Sequence, residues 1–361
     1  MDISKEFRER GRVDILLRQI RQEATEKYIF MEVCGGHTTA IHSYGIPGLL
    51  PGSINLISGP GCPVCVTSES FLDHAIALSA MPGILVATFG DLLRVPGGGT
   101  SLEKEKAAGA SIIVVYSINE ALDLAAKNKD KMVVFLAIGF ETTAPGTAAG
   151  VLDAGKRGLA NFFILSAHKI MPPAMRAVVE GGTNVNGFIC PGHVSAITGS
   201  GIYGFLPDDF GIGCVISGFE PVDILQSVLM LIRQVNRKDP GVEVQYTRAV
   251  RPEGNPKAMN IMKQVFKVSD QWWRGFGTIP GSGLQLKPEY EKSDAGKVFP
   301  APPQRQPVES LCMCGSILRG THTPADCPLF GTGCTPADPA GACMVSAEGA
   351  CHAFHKYTMS L

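Results

Sequence analysis

The sequence predicts an α/β protein made of two Rossmann-like, parallel-sheet βα domains and a small cysteine-rich domain. Three observations lead to this fold class. Short apolar runs alternate with helical patterns over most of the chain, and the runs are continuously apolar, as in strands covered on both faces. The 361 residues include 42 glycines, which suits many tight strand–loop–helix turns. Six of the 11 cysteines lie between Cys312 and Cys351.

The predicted elements follow one another in a regular order. Residues 1–24 predict an amphipathic N-terminal helix with an apolar stripe from Val13 to Ile20. Eight apolar runs predict strands: Tyr28–Val33, Ile54–Ser58, Ile84–Phe89, Ser111–Tyr116, Met132–Ile138, Phe162–Ser166, Gly187–Cys190 and Cys214–Ser217. Four stretches between them predict helices: Ser68–Ala80, Asn119–Lys127, Thr147–Ala154 and Pro221–Arg237. Repeated βα units imply parallel sheets with right-handed crossovers.

The pattern and composition also predict domain bounds. We expect an N-terminal helix over 1–24, a first α/β domain over 25–115 and a second over 116–245. Residues 246–361 would hold a wrapping segment and the cysteine-rich domain. Glycine and proline are frequent in 281–309 and apolar residues are few, which predicts the wrapping segment or linker there.

Charge and hydropathy exclude several classes of partner. The net charge is −1, from 32 basic and 33 acidic residues, and no basic block stands out, so neither nucleic acid nor an anionic membrane is expected as a partner. The charged N-terminus has no apolar core of signal-peptide length, and no apolar run approaches a bilayer span. We therefore expect a cytoplasmic protein with reduced thiols.

The cysteine-rich tail needs a cross-link, because it contains too little apolar periodicity to fold alone. An iron–sulfur cluster, zinc and disulfides are the three candidates. Reducing surroundings disfavour disulfides, and the irregular spacing does not match paired zinc ligands. The cysteines therefore favour an iron–sulfur domain.

Cys34 follows the first predicted strand, in the motif Met31–Ala40 (MEVCGGHTTA). Cys34 would lie near a helix that begins at about His37, and the helix dipole would lower its pKa and favour thiolate. Thiolate and imidazole together suit iron, copper or zinc. A buried cysteine beside a tight turn is the alternative.

A CPxC motif, Cys62-Pro63-Val64-Cys65, lies between a predicted strand and helix. Such a pair can form a small-ring disulfide and exchange it with other thiols, or it can provide half of a zinc site. Its place in a βα turn favours the redox interpretation.

Three further strand ends carry titratable residues, namely Glu141, His168 and His193. Each alone would suit a turn, but together with Cys34 and the CPxC pair they predict a shared cleft between two α/β domains. No GxGxxG, Walker or GxSxG motif is present, so nucleotide binding and acyl transfer lack their motifs.

These motifs, taken together, resemble the HypD family of [NiFe]-hydrogenase maturation factors. The resemblance rests on MEVCGGHT, SGPGCPVC, TFGDLLRVPG, GFETTAPG, SAHK with PPAM, CPGHVSAI, and the tail CxCGSILRG…DCPLF…CTP…CMVSAEGAC, from about residue 28 to 351. One departure is Thr39, where family members often have a second histidine, so no metal role is expected at that position.

The resemblance implies a function that the spacing of the motifs alone does not indicate. Family members form a complex with a small partner, HypC, and hold an iron with cyanide and carbon monoxide ligands, which later passes to the hydrogenase large subunit. A further factor, HypE, supplies the cyanide. The resemblance makes Cys34 the iron ligand, with His37 close by, and gives Cys62 and Cys65 a role in handling electrons or protecting the site.

The resemblance also implies a [4Fe–4S] cluster in the tail. By analogy with ferredoxin–thioredoxin reductase, Cys314 and Cys343 would be a redox-active pair. The cluster ligands would then be Cys312, Cys327, Cys334 and Cys351.

Our leading hypothesis is a metallocentre-assembly scaffold with redox chemistry, not a conventional turnover enzyme. The main rival is a cluster-dependent thiol–disulfide oxidoreductase, and a zinc-stabilised protein without redox function is a third possibility. Only the scaffold makes use of both Cys34 and His37. The stretch from Thr88 to Thr100, which includes Arg94, is predicted as a partner surface or lid, with a plain glycine-rich connection as the alternative.

Overall fold

The computed structural model of the protein describes residues 6–182, 184–303 and 311–358. Sheet one is parallel and contains β1 (Tyr28–Glu32), β2 (Ile54–Ser58), β7 (Gly187–Pro191), β8 (Gly213–Ser217) and β9 (Val242–Val244), in the spatial order β2-β1-β7-β8-β9. Sheet two is also parallel and contains β3 (Ile84–Thr88), β4 (Ile112–Val114), β5 (Met132–Gly139) and β6 (Phe162–His168), in the order β4-β3-β5-β6. An antiparallel hairpin joins β10 (Phe266–Trp273) and β11 (Gly277–Leu286).

Helices separate most of the strands. Those before β7 are α1 (Arg10–Glu23), α2 (Gly35–Ser43), α3 (Ile46–Leu49), α4 (Pro63–Val66), α5 (Glu69–Ser79), α6 (Leu102–Ala107), α7 (Ile118–Lys127), α8 (Ala144–Lys156) and α9 (Met171–Glu180). Those after β7 are α10 (Gly192–Thr198), α11 (Phe205–Phe210), α12 (Pro221–Arg237), α13 (Pro256–Val265), α14 (Ala295–Val298), α15 (Cys314–Leu318), α16 (Ala342–Val345) and α17 (Ala350–Thr358).

The α/β class, the parallel sheets and the eight predicted strands are confirmed. The continuously apolar runs are buried as expected; in β5, for example, every residue after Met132 is buried. The N-terminal helix is present over Arg10–Glu23, and part of the predicted range 1–24 lies outside the described residues. The segment predicted as a linker from 281 onward begins inside β11, because the glycines of this region form a hairpin.

The two sheets do not coincide with the segments 25–115 and 116–245. The chain forms two strands of sheet one, crosses to build all of sheet two, and then returns to complete sheet one. Alternating βα periodicity reveals each strand but not its neighbour, because pairing depends on contacts far apart in sequence.

One continuous core joins both sheets to the cysteine-rich tail. The same cluster of buried residues contains Met31 from β1, Val134 from β5 and Met344 from α16. Two further clusters cover the outer faces, one under α7 and α8 on sheet two and one under α1 and α12 on sheet one. Within the described ranges, no helix is both long and apolar enough to span a membrane.

Candidate functional site

Cys34 lies where the strand order of sheet one reverses. The chain passes from β1 to β2 on one side, whereas β7, β8 and β9 follow one another on the other side. In open parallel sheets, ligands bind beyond the carboxyl ends of the strands at such a switch point. Cys34 is the N-cap of α2, which begins at Gly35, and its side chain remains partly exposed. The sheet thus presents a thiol at the position where this class of fold binds ligands.

A buried carboxylate holds the turn that carries Cys34. The backbone N–H of Cys34 donates to Glu32 Oε2 at 2.9 Å, and the Thr38 hydroxyl donates to Oε1 of the same group. Glu32 is only 2% exposed, and burial raises its pKa to about 7. These two bonds tie the end of β1 to the first turn of α2.

The surroundings of Cys34 favour the thiol, not the thiolate. Burial raises the pKa of Cys34 to about 12, and the charges of Glu32 and Glu348 act in the same direction. The backbone N–H groups at the helix end oppose this rise but do not overcome it. The predicted lowering of the pKa is therefore wrong, and a metal that binds here must displace the thiol proton.

His37 is a buried, neutral imidazole. Its Nε2 lies 2.9 Å from the Gly218 carbonyl oxygen and 3.3 Å from that of Ser217, so Nε2 carries the proton and donates. Nδ1 is then the acceptor, and it has no hydrogen-bond partner among the described residues. Burial lowers the pKa of His37 to about 4, which keeps the ring neutral. A neutral imidazole with an uncommitted nitrogen suits a metal ligand.

Phe219 covers this imidazole and connects it to His193. Its ring stacks on His37 with centroids 4.5 Å apart and on His193 with centroids 4.0 Å apart. His193 is exposed, so the aromatic stack runs from the buried imidazole to the surface. Phe219 was not among the predicted site residues, although it too follows a strand end, that of β8.

The CPxC motif contacts the Cys34 turn directly. Gly35 donates its N–H to the Gly61 carbonyl at 3.0 Å, and a Cβ at Gly61 would lie 2.2 Å from the backbone nitrogen of Cys34. Only glycine allows this close approach of the two loops. Cys62 and Cys65 form a disulfide with Cα atoms 5.3 Å apart. The pair thus forms the small-ring disulfide that the motif allows, while its redox role stays a prediction.

The segment Ser346–Glu348 of the tail spans the Cys34 turn and sheet two. Ser346 donates to Asp91 Oδ2 at 2.9 Å, and the Thr39 hydroxyl donates to the Ala347 carbonyl at 3.0 Å. A Cβ at Gly35 would lie 2.4 Å from Cβ of Glu348, and burial raises the pKa of the Glu348 carboxyl. Glu348 was also missed by the sequence analysis, and its only signal there is its nearness to Cys351.

The segment predicted as a partner surface or lid contacts the tail at two points. Arg94 donates to the Ala337 carbonyl at 3.1 Å and to the Pro336 carbonyl. Asp91, at the start of this segment, holds Ser346. At least part of the stretch from Thr88 to Thr100 therefore anchors the cysteine-rich tail.

The six tail cysteines line one small cavity. Cys314 and Cys343, the predicted redox pair, have their Sγ atoms 2.7 Å apart. The same cavity is lined by the four predicted cluster ligands, Cys312, Cys327, Cys334 and Cys351. A Cβ at Gly341 would lie 2.7 Å from Cys312 Sγ, so glycine leaves room beside that thiol.

This donor set fits an iron–sulfur cluster chemically, because thiolates are its usual ligands. In the described residues, no group of three or more His, Cys, Asp or Glu side chains is arranged to hold a single metal ion. The cysteine-rich region is therefore present as predicted, while its iron–sulfur character stays a prediction.

Glu141 and His168 lie at the carboxyl edge of sheet two. His168 Nε2 lies 2.9 Å from the Thr147 hydroxyl and Nδ1 lies 3.3 Å from the Gly139 carbonyl, so both ring nitrogens are occupied. Glu141 Oε1 accepts the N–H of Met171 at 2.9 Å, while Oε2 has no partner among the described residues. Burial raises the pKa of Glu141 to about 7. Within the described ranges, neither residue hydrogen-bonds with Cys34.

The fold and site define a class: an α/β protein with two parallel sheets in which a switch-point thiol, a CPxC disulfide and a cysteine-rich tail converge. Sequence comparison agrees with this. The HypD family profile, described as "Hydrogenase formation hypA family", matches residues 12–358. The chain therefore belongs to the HypD family of hydrogenase maturation factors, as the sequence motifs predicted.

Three relatives illustrate the similarity. Hydrogenase maturation factor HypD2 of Bradyrhizobium diazoefficiens is 47% identical over 99% of this chain and 97% of its own length. Hydrogenase maturation factor HypD of Azotobacter vinelandii is 45% identical over 98% of this chain and 96% of its own. That of Cupriavidus necator is 42% identical over 99% and 97%.

Proposed function

We propose that the chain is the scaffold on which, together with the partner HypC, the Fe(CN)2CO unit of [NiFe]-hydrogenase is assembled. The iron unit is its cargo, HypE donates the cyanide, and the hydrogenase large subunit receives the finished unit. The chain would act in the cytoplasm as a binding and transfer protein and not as a conventional turnover enzyme.

The observation that carries this proposal is the pairing of Cys34 with His37 at the switch point. Cys34 offers a partly exposed thiol, and three residues later Nδ1 of His37 has no hydrogen-bond partner in the part of the chain that the structure describes. A thiolate is a good donor to electron-rich, low-spin iron(II), and imidazole is a suitable neighbour. Because burial raises the pKa of Cys34 to about 12, the metal-free thiol stays protonated. It becomes a strong thiolate donor only when an arriving metal displaces the proton.

Transfer requires that the scaffold leave coordination positions open. The chain provides one partly exposed thiol at this turn, near the buried imidazole of His37. A ligand from HypC would complete the binding and could leave with the iron. This division of ligands suits a carrier better than a closed structural metal site does.

The tail would hold a [4Fe–4S] cluster through Cys312, Cys327, Cys334 and Cys351. When bound, the cluster supplies electrons one at a time. Cys314 and Cys343 would serve as its neighbouring dithiol, and Cys62 and Cys65 as the thiol pair beside Cys34. The segment Ser346–Glu348 links the tail to the Cys34 turn through its bonds with Asp91 and Thr39.

The proposal is tested by infrared spectroscopy of the protein purified anaerobically from cells that also express its partners. We expect bands of metal-bound cyanide and carbon monoxide in the wild type and their loss in Cys34→Ala. Cys214→Ala is the matched control, because it also removes a thiol, from a fully buried position in β8. Equal band intensity in Cys34→Ala and the control would contradict the proposal.

A second candidate, a cluster-dependent thiol–disulfide oxidoreductase that relays electrons to a protein substrate, has one observation in its favour. The chain contains the Cys62–Cys65 disulfide and, in the tail, two sulfurs 2.7 Å apart. A brown, cluster-containing protein that never shows cyanide or carbon monoxide bands, even in complex with HypC, would favour this function.

A further inference from the structure

Arg274 connects the CPxC loop to the cysteine-rich tail. It lies at the tip of the β10–β11 hairpin, and its backbone N–H donates to the Val66 carbonyl at 3.1 Å. Its guanidinium donates to the carbonyls of Cys65 and Thr67 at 3.2 and 3.1 Å. The hairpin therefore binds the carboxyl end of the short helix α4, which carries Cys65.

The other side of the hairpin tip touches the tail. Gly275 has φ of +87°, and a Cβ there would lie 2.6 Å from Cα of Gly315, the residue after Cys314. A Cβ at Gly315 would in turn lie 2.8 Å from Cα of Gly275. Two glycines thus bring the backbones into contact, and this contact places Arg274 beside the cysteines that line the cavity.

The positive charge of Arg274 lies within Coulomb range of the Cys312, Cys314 and Cys343 sulfurs, which line the cavity. Its ion-pair partner, Glu69, is 63% exposed, whereas the side chain of Arg274 is 14% exposed. Water therefore screens the carboxylate more than the guanidinium.

We propose that Arg274 sets the reduction potential of the cluster bound by the tail, by holding a fixed positive charge beside the thiolate ligands. This inference rests on the proposed function, because it requires the cluster. A cluster gains negative charge when it takes up an electron, so a nearby cation stabilises the reduced form and raises the potential. Arginine suits this role because it stays charged and its planar fork binds several carbonyls at once.

The test is a redox titration of the anaerobically loaded protein, followed by electron paramagnetic resonance and visible absorption. The measured step is the gain of one electron by the cluster from a mediator poised by an electrode, and no bond of the chain changes. In Arg274→Gln we expect about a tenfold smaller equilibrium constant for reduction, which is about 59 mV for a one-electron couple.

Three further variants separate charge from packing. Arg274→Lys keeps the charge and should stay within a threefold change, about 30 mV. Glu69→Gln removes the screening carboxylate and should shift the potential in the opposite, positive direction. Arg319→Gln, an exposed arginine just after α15, is the matched control and should leave the potential unchanged.

Two results overturn the inference. One is a cluster-loaded Arg274→Gln protein with the wild-type potential; the other is an equal shift in Arg274→Lys and Arg274→Gln, which would indicate packing alone. If Arg274→Gln does not fold, Arg274→Lys and Glu69→Gln still test the proposal, because Glu69→Gln should raise the potential. A wild type that binds no iron and shows no visible absorption overturns the cluster itself, a failure distinct from an unmoved potential.

Discussion

Each of the two parallel sheets has one switch point, and the two differ in the exposure and hydrogen bonding of the side chains that follow the strands. In sheet one, between β1 and β7, Cys34 is partly exposed and His37 Nδ1 has no partner among the described residues. In sheet two, Glu141 follows β5 and His168 ends the neighbouring β6, where the imidazole has both nitrogens bonded. The CPxC loop and the tail segment Ser346–Glu348 both meet at the first switch point.

This difference shows why a titratable residue at a strand end is insufficient evidence for chemistry. Both edges satisfy the same positional rule. They are distinguished by exposure and by which other elements pack on them, because Glu141 Oε2 at the second edge also lacks a partner among the described residues but is buried. Sheet two contributes to the first site through Asp91, which holds Ser346, and not through its own histidine.

The largest expected effect separates the two edges by function. Cys34→Ser should reduce hydrogenase maturation to background, because it removes the proposed iron ligand. His168→Gln should reduce it several-fold at most, through lower protein abundance. Hydrogenase activity in extracts of a complemented deletion strain measures both, before and after normalisation to the amount of the variant, and normalisation should restore only His168→Gln. Equal loss in the two variants would break the comparison.

The next effect concerns the backbone contact between the CPxC loop and the Cys34 turn. Gly61→Ala should lower the free energy of unfolding by about 3 kcal/mol or more, because the new Cβ collides with backbone atoms. Gly146→Ala is the matched control: Gly146 lies on the exposed side of α8 with open space around it, so this change should stabilise by about 0.5–1 kcal/mol. Urea unfolding midpoints measure both, and a neutral Gly61→Ala would show that the two loops can separate.

An acid titration tests whether His168, at the carboxyl edge of sheet two, is shielded from water. Burial lowers the pKa of His168 to about 4 from 6.5, so the folded state binds fewer protons than the unfolded chain between these values. Stability from this group is complete above pH 6.5 and is lost as the pH falls towards 4. The wild type should therefore lose about 3 kcal/mol more than His168→Gln over this range. Parallel curves for the two proteins would mean that His168 is more accessible to water than its contacts indicate.

The smallest effect concerns the aromatic stack of Phe219 with His37 and His193, at the carboxyl edge of sheet one. Phe219→Leu keeps most of the apolar area but removes stacking on His37 and His193, which should cost about 0.5–1.5 kcal/mol. The ring signals of both histidines in NMR spectra should shift together. A shift of His193 alone would indicate that Phe219 does not hold the buried ring.

Much of the fold was predictable from local pattern, and particular residues show the limit. The run Ile54–Ser58 was predicted with the bounds it has in the structure, and the other seven strands agree within a few residues. The pKa of Cys34 was predicted in the wrong direction, because the rule for helix ends contains no term for burial or for Glu348, which is distant in sequence. Phe219 and Glu348 were missed because their roles arise from packing.

The sequence alone determined the elements, the thiol-bearing motifs and the family, because hydrophobic periodicity and motif spacing are local properties of the chain. Only the tertiary structure decided which strands pair, that the tail joins Cys34 and the CPxC disulfide at one switch point, and that Nδ1 of His37 has no partner among the described residues. These features depend on contacts between residues up to about 300 positions apart, such as Thr39 with Ala347. Desolvation, which sets the protonation of the site, arises from the same long-range packing.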